Sequence, residues 1–410
     1  MVKAGYKQTE VGEIPEDWET KEIRQVCKLI NGRGFKPHEW KRSGLPIIRI
    51  QNLNGSDEFN YYDGLYDRKL EVNEGQLLFA WSGSRGTSFG PHVWKGDRGL
   101  LNYHTWKVVT DNDAISGEYF LYALRNLTAS IEEKAHGASA LVHTQKWEME
   151  GYKFPAPKEP AEQMAIAAAL SDVDTLIASL EKLIEKKRDI KTATMQQLLT
   201  GKKRLVNFGG EWTPVSIGRH AYLKARIGWQ ALTTNEYLEF GDYQLVTGTD
   251  FKNGRIDWAG CWYVSEWRYS QDKNIQLMNG DVLITKDGTI GKVGYVEDLS
   301  IPATLNSGVF VIRPINNSFH PIYLYYVLSS RIFRDFLDEI TAGSTITHLY
   351  QKDFVGFEFS APCIEEQKLI AEVLGDIDRD IIETENRLAK TKAIKQGMMQ
   401  ELLTGRTRLV

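Results

Sequence analysis

MQQLLTGKKRLV, residues 195–206, returns as MQELLTGRTRLV, residues 399–410. The offset is 204, and it holds upstream. It carries Gln163 to Gln367, Leu170 to Leu374, Asp172 to Asp376, Asp174 to Asp378 and Ile190 to Ile394. Of the 44 positions from 163 to 206, 20 are identical at that offset. A repeat of this strength governs the whole reading, because each copy must be one structural unit used twice.

Inside the second copy, Ile370, Leu374, Ile377, Ile381, Thr384, Leu388, Thr391, Lys395, Met398 and Leu402 alternate in steps of four and three. That is an a/d heptad stripe on a helix. The first copy keeps the register with Ile166, Leu170, Val173, Ile177, Leu180, Ile184, Lys187, Lys191, Thr194 and Leu198. Prolines precede each stripe (Pro157 and Pro160; Pro362) and Thr-Gly follows it (Thr200-Gly201; Thr404-Gly405), as helix start and stop signals should. About 36 residues at ~1.5 Å each give a rod of roughly 54 Å. One amphipathic helix cannot bury such a stripe alone, and the simplest partner is the other copy. The segment between the copies, residues 202–213, is short, so the second helix is expected to run back along the first as an antiparallel pair; about 12 extended residues reach about 40 Å, which leaves a parallel arrangement disfavoured but open. Polar stripe positions (Lys187, Lys191, Thr384, Thr391, Lys395) suit a thin, partly wet seam better than the core of one compact domain.

The segments ahead of the helices share a fainter skeleton. Glu74-Gly75-Gln76-Leu77-Leu78 resembles Asn279-Gly280-Asp281-Val282-Leu283, Leu101-Asn102 resembles Leu305-Asn306, and Tyr122-Ala123-Leu124 resembles Tyr326-Val327-Leu328. Short β-type runs at 45–50, 76–80 and 106–109, and at 243–247, 281–285 and 309–313, alternate with turn signals. Each globule closes on a helical stretch, 117–134 and 321–340. The fold class is α+β: two similar globular domains separated by two long helices forming an antiparallel coiled coil, with a pseudo-two-fold internal repeat. The expected boundaries are 1–156, first globule; 157–206, first helix; 207–361, second globule; 362–410, second helix.

Three polar loops recur in the globules. The first contains Arg33 and Lys36, answered by Lys224, Arg226 and Gln230. The second contains Ser84, Arg85 and Thr87, answered by Lys286, Thr289 and Lys292. The third contains Tyr103 and His104, answered by Asn306. Arg49, Asn52 and Thr247 flank them at strand ends. Glycine-rich turns carrying Lys, Arg, Ser and Thr can approach phosphates, and Arg, Asn, Gln and Lys can read base edges. Any one of these loops alone reads as a solvated turn. Recurrence of the scaffold with different letters is what two unlike half-sites of DNA would require. Gly137-Ala138-Ser139 and Gly343-Ser344-Thr345, with His143 and His348 after them, read as turns leading back into the fold and not as metal ligands.

Composition and missing motifs narrow the function. At 42 % apolar and 25 % charged the 410-residue chain is an ordinary globular protein of two or three domains. Its net charge of −4 restricts any DNA contact to local patches. Three cysteines without a CxxC pair argue against a disulfide framework and a Cys-based zinc site, and fit a reducing cytoplasm. Neither a signal peptide nor a run of about 18 uncharged apolar residues occurs, so no membrane partner is expected. An Asn/Asp-Pro-Pro-aromatic methylase motif, a Walker loop and a metal-nuclease core are all missing. A stand-alone methylase or nuclease, or a coiled-coil adaptor that binds only proteins, is the competing reading.

With the opening Tyr6-Lys7-Gln8-Thr9-Glu10 … Ile14-Pro15-Glu16-Asp17-Trp18, the Pro157 … Gln163 and Pro362 … Gln367 helix approaches, and the paired endings, essentially the whole chain resembles the specificity subunit of type I restriction–modification systems. The first helix approach is one residue longer than the second. The resemblance implies two target-recognition domains, each reading half of a bipartite, asymmetric site in double-stranded DNA. It implies no catalysis and no cofactor on this chain. Two modification subunits would supply adenine methylation with S-adenosylmethionine. Restriction subunits would supply ATP- and Mg-dependent translocation and cleavage. The helices would dock the methylases and set the gap.

Overall fold

The computed structural model describes residues 2–134, 141–227, 232–341 and 348–409. Both stripes form continuous helices of 39 residues, Pro160–Leu198 and Ile364–Leu402. The chain divides into two compact units. One comprises Met1–Glu181 with Asn386–Val410, the other Lys182–Glu385. Each helix therefore contributes one half to each unit.

In the first unit Ile166, Leu170, Leu180 and Leu402 are buried, and Val173, Ile177, Leu388 and Met398 are half-buried. In the second unit Ile184, Leu198, Ile370, Leu374 and Ile381 are buried, with Ile377 half-buried. Ion pairs fix the direction of the helices within each unit. In the first unit Asp174 meets Lys395 at 2.6 Å and Glu181 meets Lys392 at 2.7 Å. In the second Lys187 meets Asp380 at 2.5 Å, Arg188 meets Glu385 at 2.6 Å and Lys191 meets Asp378 at 2.6 Å. From 174 to 181 the partner falls from 395 to 392, and from 187 to 191 it falls from 380 to 378, so the pairing is antiparallel in both units. The pairs Asp174–Lys395 and Asp378–Lys191 are the same contact at the 204-residue offset. Thr384 and Thr391 are buried and turn their hydroxyls onto the carbonyls of Asp380 and Arg387. Each buried aliphatic side chain contributes ~1.5–3 kcal/mol and each half-exposed ion pair only ~0–1 kcal/mol. Stability thus comes from the stripe, and the charged seam positions fix its register.

The helix starts explain the Glu-Gln motif. Gln163 donates to Pro157 O and Gln367 to Pro362 O, both at 2.8 Å, so the extra residue of the first approach is absorbed before the helix begins. The other end of each amide accepts from a backbone N–H, Ser116 in one unit and His320 in the other. Just ahead, the buried Glu162 takes Arg408 Nε at 2.5 Å and Nη2 at 2.8 Å, and the buried Glu366 takes Arg204 Nε at 2.9 Å and Nη2 at 2.6 Å. Arg204 and Arg408 belong to the repeated endings. Each closes its unit by tying the end of one helix to the start of the other. Arg408 also grips Asp17, whose carboxyl it holds below the usual carboxylate range. Tyr6 donates to Gly405 O at 2.9 Å, so the last residues complete the first unit.

The sheets repeat as well. In the first unit Gly90–Val93, Leu77–Ala80, Thr105–Thr110 and Cys27–Asn31 form an antiparallel sheet in that order. Leu45–Ile48 and Gly99–Leu101 run parallel in a second sheet. The second unit sets Val293–Tyr295, Val282–Thr285, Val309–Pro314 and Ala221–Ala225 in the same order, extends that sheet with Phe251–Lys252 and Arg255–Ile256, and pairs Gln244–Val246 parallel with Ala303–Leu305. Gly117–Lys134 is one helix as expected. The stretch 321–340 is not. It breaks into Pro321–Leu328 and Arg331–Thr341, because Ser330 Oγ donates back to Val327 O and accepts from Ile332 N–H, capping the second piece.

Within Pro160–Leu198 one 18-residue window reaches a mean hydropathy of 1.3, long and apolar enough by composition to cross a membrane. Ile166 and Leu170 lie in the core, and Asp174 accepts from Tyr122, Arg125 and Lys395.

Candidate nucleic-acid interface

Strand pairing brings the polar loops of the first unit to one sheet edge. Asn31 pairs with Trp106, Ala80 with Thr105, and Ile48 lies beside Leu101. The turn 101–105 is therefore a hub on which three strand ends converge. Arg33 N donates to Leu101 O at 3.0 Å, Asn102 N to Ile48 O at 3.1 Å, Gly32 N to Thr105 O and Trp81 N to His104 O at 3.2 Å. Trp81 Nε1 donates to Tyr103 O at 3.0 Å, and the His104 ring lies 3.7 Å from that of Tyr103 and 5.1 Å from that of Trp81. Arg49 stacks on Trp40, 5.6 Å from its centroid, and its buried Nε has no partner. A buried N–H left unpaired costs ~1–3 kcal/mol, so an incoming acceptor would relieve it. Burial lowers the pKa of His104, whose Nδ1 is also buried and unpartnered, so at pH 7 the ring is neutral.

The second unit builds the same hub at 305–309. Ala225 pairs with Phe310, Thr285 with Val309, and Val246 lies beside Leu305. Asn306 N donates to Val246 O and Lys286 N to Gly308 O, both at 2.9 Å. Superposing the registers equates Trp81 with Lys286, Asn102 with Asn306, Tyr103 with Ser307 and His104 with Gly308. Arg49 and Thr247 are equivalent too. The backbone N–H of each is held by the side chain three residues on, Asn52 Oδ1 at 3.0 Å and Asp250 Oδ2 at 2.7 Å. One scaffold thus presents two sets of side chains, which is the geometry of a paired sequence reader.

The comparisons with known proteins agree. The family model described as "Type I restriction modification DNA specificity domain" matches twice, over residues 15–187 and 223–396. The chain belongs to this family. It is a type I restriction–modification specificity subunit carrying its DNA sequence-recognition domain twice. It is 26 % identical over 430 residues to the putative type I restriction enzyme MjaX specificity subunit of Methanocaldococcus jannaschii, covering 98 % of this chain and 97 % of that one. Against the type I restriction enzyme EcoBI specificity subunit of Escherichia coli the identity is 23 % over 420 residues, 96 % and 86 % of the two chains. The fold resembles the crystal structure of the type I S subunit from M. genitalium, with a TM-score of 0.59, 17 % identity and coverage of 94 % and 96 %.

In this specificity subunit the expected readers fall into three groups. Lys36, Ser84, Arg85, Thr87, Tyr103, Lys224 and Thr289 are exposed. Arg33, Arg49, His104, Thr247, Lys286, Lys292 and Asn306 are half-buried around the hubs. Arg33 ion-pairs with Glu39 and lies over the rings of Phe35 and Tyr62, at 4.7 and 5.0 Å. Lys286 lies 5.4 Å over Phe310, and Lys292 donates to Gly248 O at 3.2 Å.

Asn52 and Arg226 form the third group and need correction. Asn52 is buried and spends its amide on Arg49 N, Ser56 O and Glu58 O, so its side chain folds the turn. Arg226 is 1 % exposed and donates to Leu305 O at 2.8 Å and Thr304 Oγ1 at 3.2 Å. The registers equate Arg226 with Gly32, one position before Arg33. A one-residue shift on a strand turns a side chain to the opposite face, which is why Arg33 opens to solvent and Arg226 does not. Gln230 and the two Gly-Ala/Ser-Ser/Thr turns lie outside the described residues. His143 pairs with Ser82 in a strand and His348 bridges to Asp287, bonding its carboxylate. Among the described residues no group of three or more His, Cys, Asp or Glu is placed to hold a metal ion.

Trp40 and Tyr237 escaped the sequence reading. Each ends a short turn opened by a backbone N–H bound to a glutamate three residues on, Lys36 to Glu39 and Thr233 to Glu236. Trp40 then backs Arg49, and Tyr237 Oη accepts from Asn306 Nδ2 at 2.6 Å. The recurring Glu-aromatic pair (Glu39-Trp40, Glu236-Tyr237) was the available signal.

Proposed function

We propose that each unit reads one half of a bipartite, asymmetric double-stranded DNA site, with Arg33, Arg49, Arg85, Trp81, Tyr103 and His104 serving the first half and Thr247, Lys286, Thr289, Lys292 and Asn306 the second. The observation that carries this is the hub: the same backbone bond joins Trp81 to His104 in one unit and Lys286 to Gly308 in the other, and the strand registers set Tyr103 and Ser307 between them, so equivalent places carry unlike chemistry. Arginine and lysine suit guanine edges, while an aromatic face suits a thymine methyl. The −4 net charge leaves part of the phosphate neutralisation to partners.

In this reading the chain performs no chemistry. The helical pair docks two methylase subunits, sets the unread gap, and brings in restriction subunits within the cytoplasm. S-adenosylmethionine, ATP and Mg belong to those partners. The test is to sequence the modified DNA of cells carrying the full system. Replacing Arg85 should alter or weaken one half of the motif, and replacing Lys286 the other, by ~1–3 kcal/mol per lost base contact. A change that alters both halves together contradicts the division of labour. Inserting one heptad in each helix should change the gap and leave the letters intact. Methyl transfer by the isolated chain would revive the enzyme reading.

A further inference from the structure

The polar hub positions differ between the units with one exception; Leu101 and Leu305 also match, but both are buried. Asn102 and Asn306 follow equivalent strands, beside Ile48–Leu101 in one unit and Val246–Leu305 in the other. In the first unit the fold does not require the asparagine side chain at this place. Asn102 makes its structural bond through its backbone N–H, and its amide side chain bonds no other described residue. In the second unit the amide is held, with Nδ2 on Tyr237 Oη at 2.6 Å and Oδ1 receiving Ser307 N at 2.7 Å. Oδ1 also takes the Ser307 hydroxyl at 3.5 Å, so one N–H is left over and the second lone pair becomes free when that hydroxyl turns away, since a primary amide offers two donors and two acceptor sites.

The backbone beneath each asparagine is fixed by a different device. A Cβ on Gly32 would lie 1.9 Å from Asn102 O, so in the first unit the loop must pass as glycine. In the second unit Arg226 occupies that position and reaches the neighbouring carbonyl, Leu305 O, at 2.8 Å. Two unlike solutions steady the same turn, and the same side chain stands on it. Asparagine pairs in bidentate fashion with the N6 and N7 edge of adenine, which needs one donor and one acceptor.

We propose that Asn102 and Asn306 read a letter that the two half-sites have in common, an adenine contacted in the major groove, while the surrounding hub residues read the letters that differ. This rests on the half-site reading above, with Tyr237 and Arg226 as positioning residues for Asn306.

The test uses the full chain assembled with its methylase subunits and duplexes randomised in both halves. Wild type should select a bipartite motif with an adenine at corresponding places in the two halves. Asn102→Ala should lower discrimination at that place in the first half by roughly 10- to 100-fold and leave the second half unchanged, and Asn306→Ala should do the reverse. Asn102→Asp and Asn306→Asp, which accept but do not donate, should shift the preference from adenine toward cytosine. Asn102→Ser serves if the aspartate variant does not assemble, with loosened discrimination at the same place as its expected result. The inference is overturned if the two variants act on different letters, or if discrimination at every position survives both. A wild-type selection without two separate halves would instead overturn the half-site reading itself.

Discussion

The two units share backbone and differ in what they lay on it. The hub of the first is aromatic and arginine-rich, with Trp81, Tyr103, His104 and Arg49 in contact with one another or with Trp40. The hub of the second is smaller and lysine-bearing, with Ser307 and Gly308 where the rings stand and Lys286 in place of Trp81. The lesson concerns where variation is tolerated. Strand registers at the hub are reproduced, and with them the backbone bonds of Asn102 and Trp81, as Asn306 and Lys286, whereas side chains pointing away from them are free to change. Specificity can then diverge without disturbing the fold.

The largest test of that comparison acts on the clamps. Arg408→Ala leaves the buried Glu162 without its cation, and Arg204→Ala does the same to Glu366. Removing one partner of a buried pair costs ~3–5 kcal/mol. Hydrogen exchange should show lost protection in the first unit only for Arg408→Ala, and in the second only for Arg204→Ala. Uniform loss in both would mean the units are not independent.

The hub exchange is smaller. Arg49→Thr should change first-half letters and Thr247→Arg second-half letters, each by ~1–3 kcal/mol in binding, read by competition between duplexes altered in one half. The smallest effect lies in the seam. Burial pushes the Asp174 carboxyl up, but Lys395, Tyr122 and Arg125 outweigh it, and its pKa falls below 3.8. A depressed folded-state pKa stabilises above the unfolded value and is lost as pH drops through the folded one. Asp174→Asn should therefore cost ~1 kcal/mol at pH 7, and thermal unfolding of variant and wild type should converge as pH falls below 3.8.

Much of this was legible before any coordinates. The heptad stripe places Ile166 to Leu198 and Ile370 to Leu402 because a helical period is local. The hub loops were legible because they repeat. What escaped was anything decided by facing or by distance along the chain. Arg226 looked like a reader until strand register turned it inward, and Asn52 looked like one until its amide was found closing its own turn. The Arg408–Glu162 pair joins residues 246 apart; both recur at the 204-residue offset, as Arg204 and Glu366, but recurrence does not say which residue meets which. Trp40 and Tyr237 sit in turns too short to announce themselves.

The Arg408–Glu162 clamp has a further consequence for how the molecule is made. The second unit is one uninterrupted stretch of chain, Lys182–Glu385, whereas the first waits for Asn386–Val410. During synthesis the reader that is translated first is finished last. A message broken between the codons for Glu385 and Arg408 would therefore yield a molecule whose later-born unit is whole and whose earlier-born unit is missing its lock.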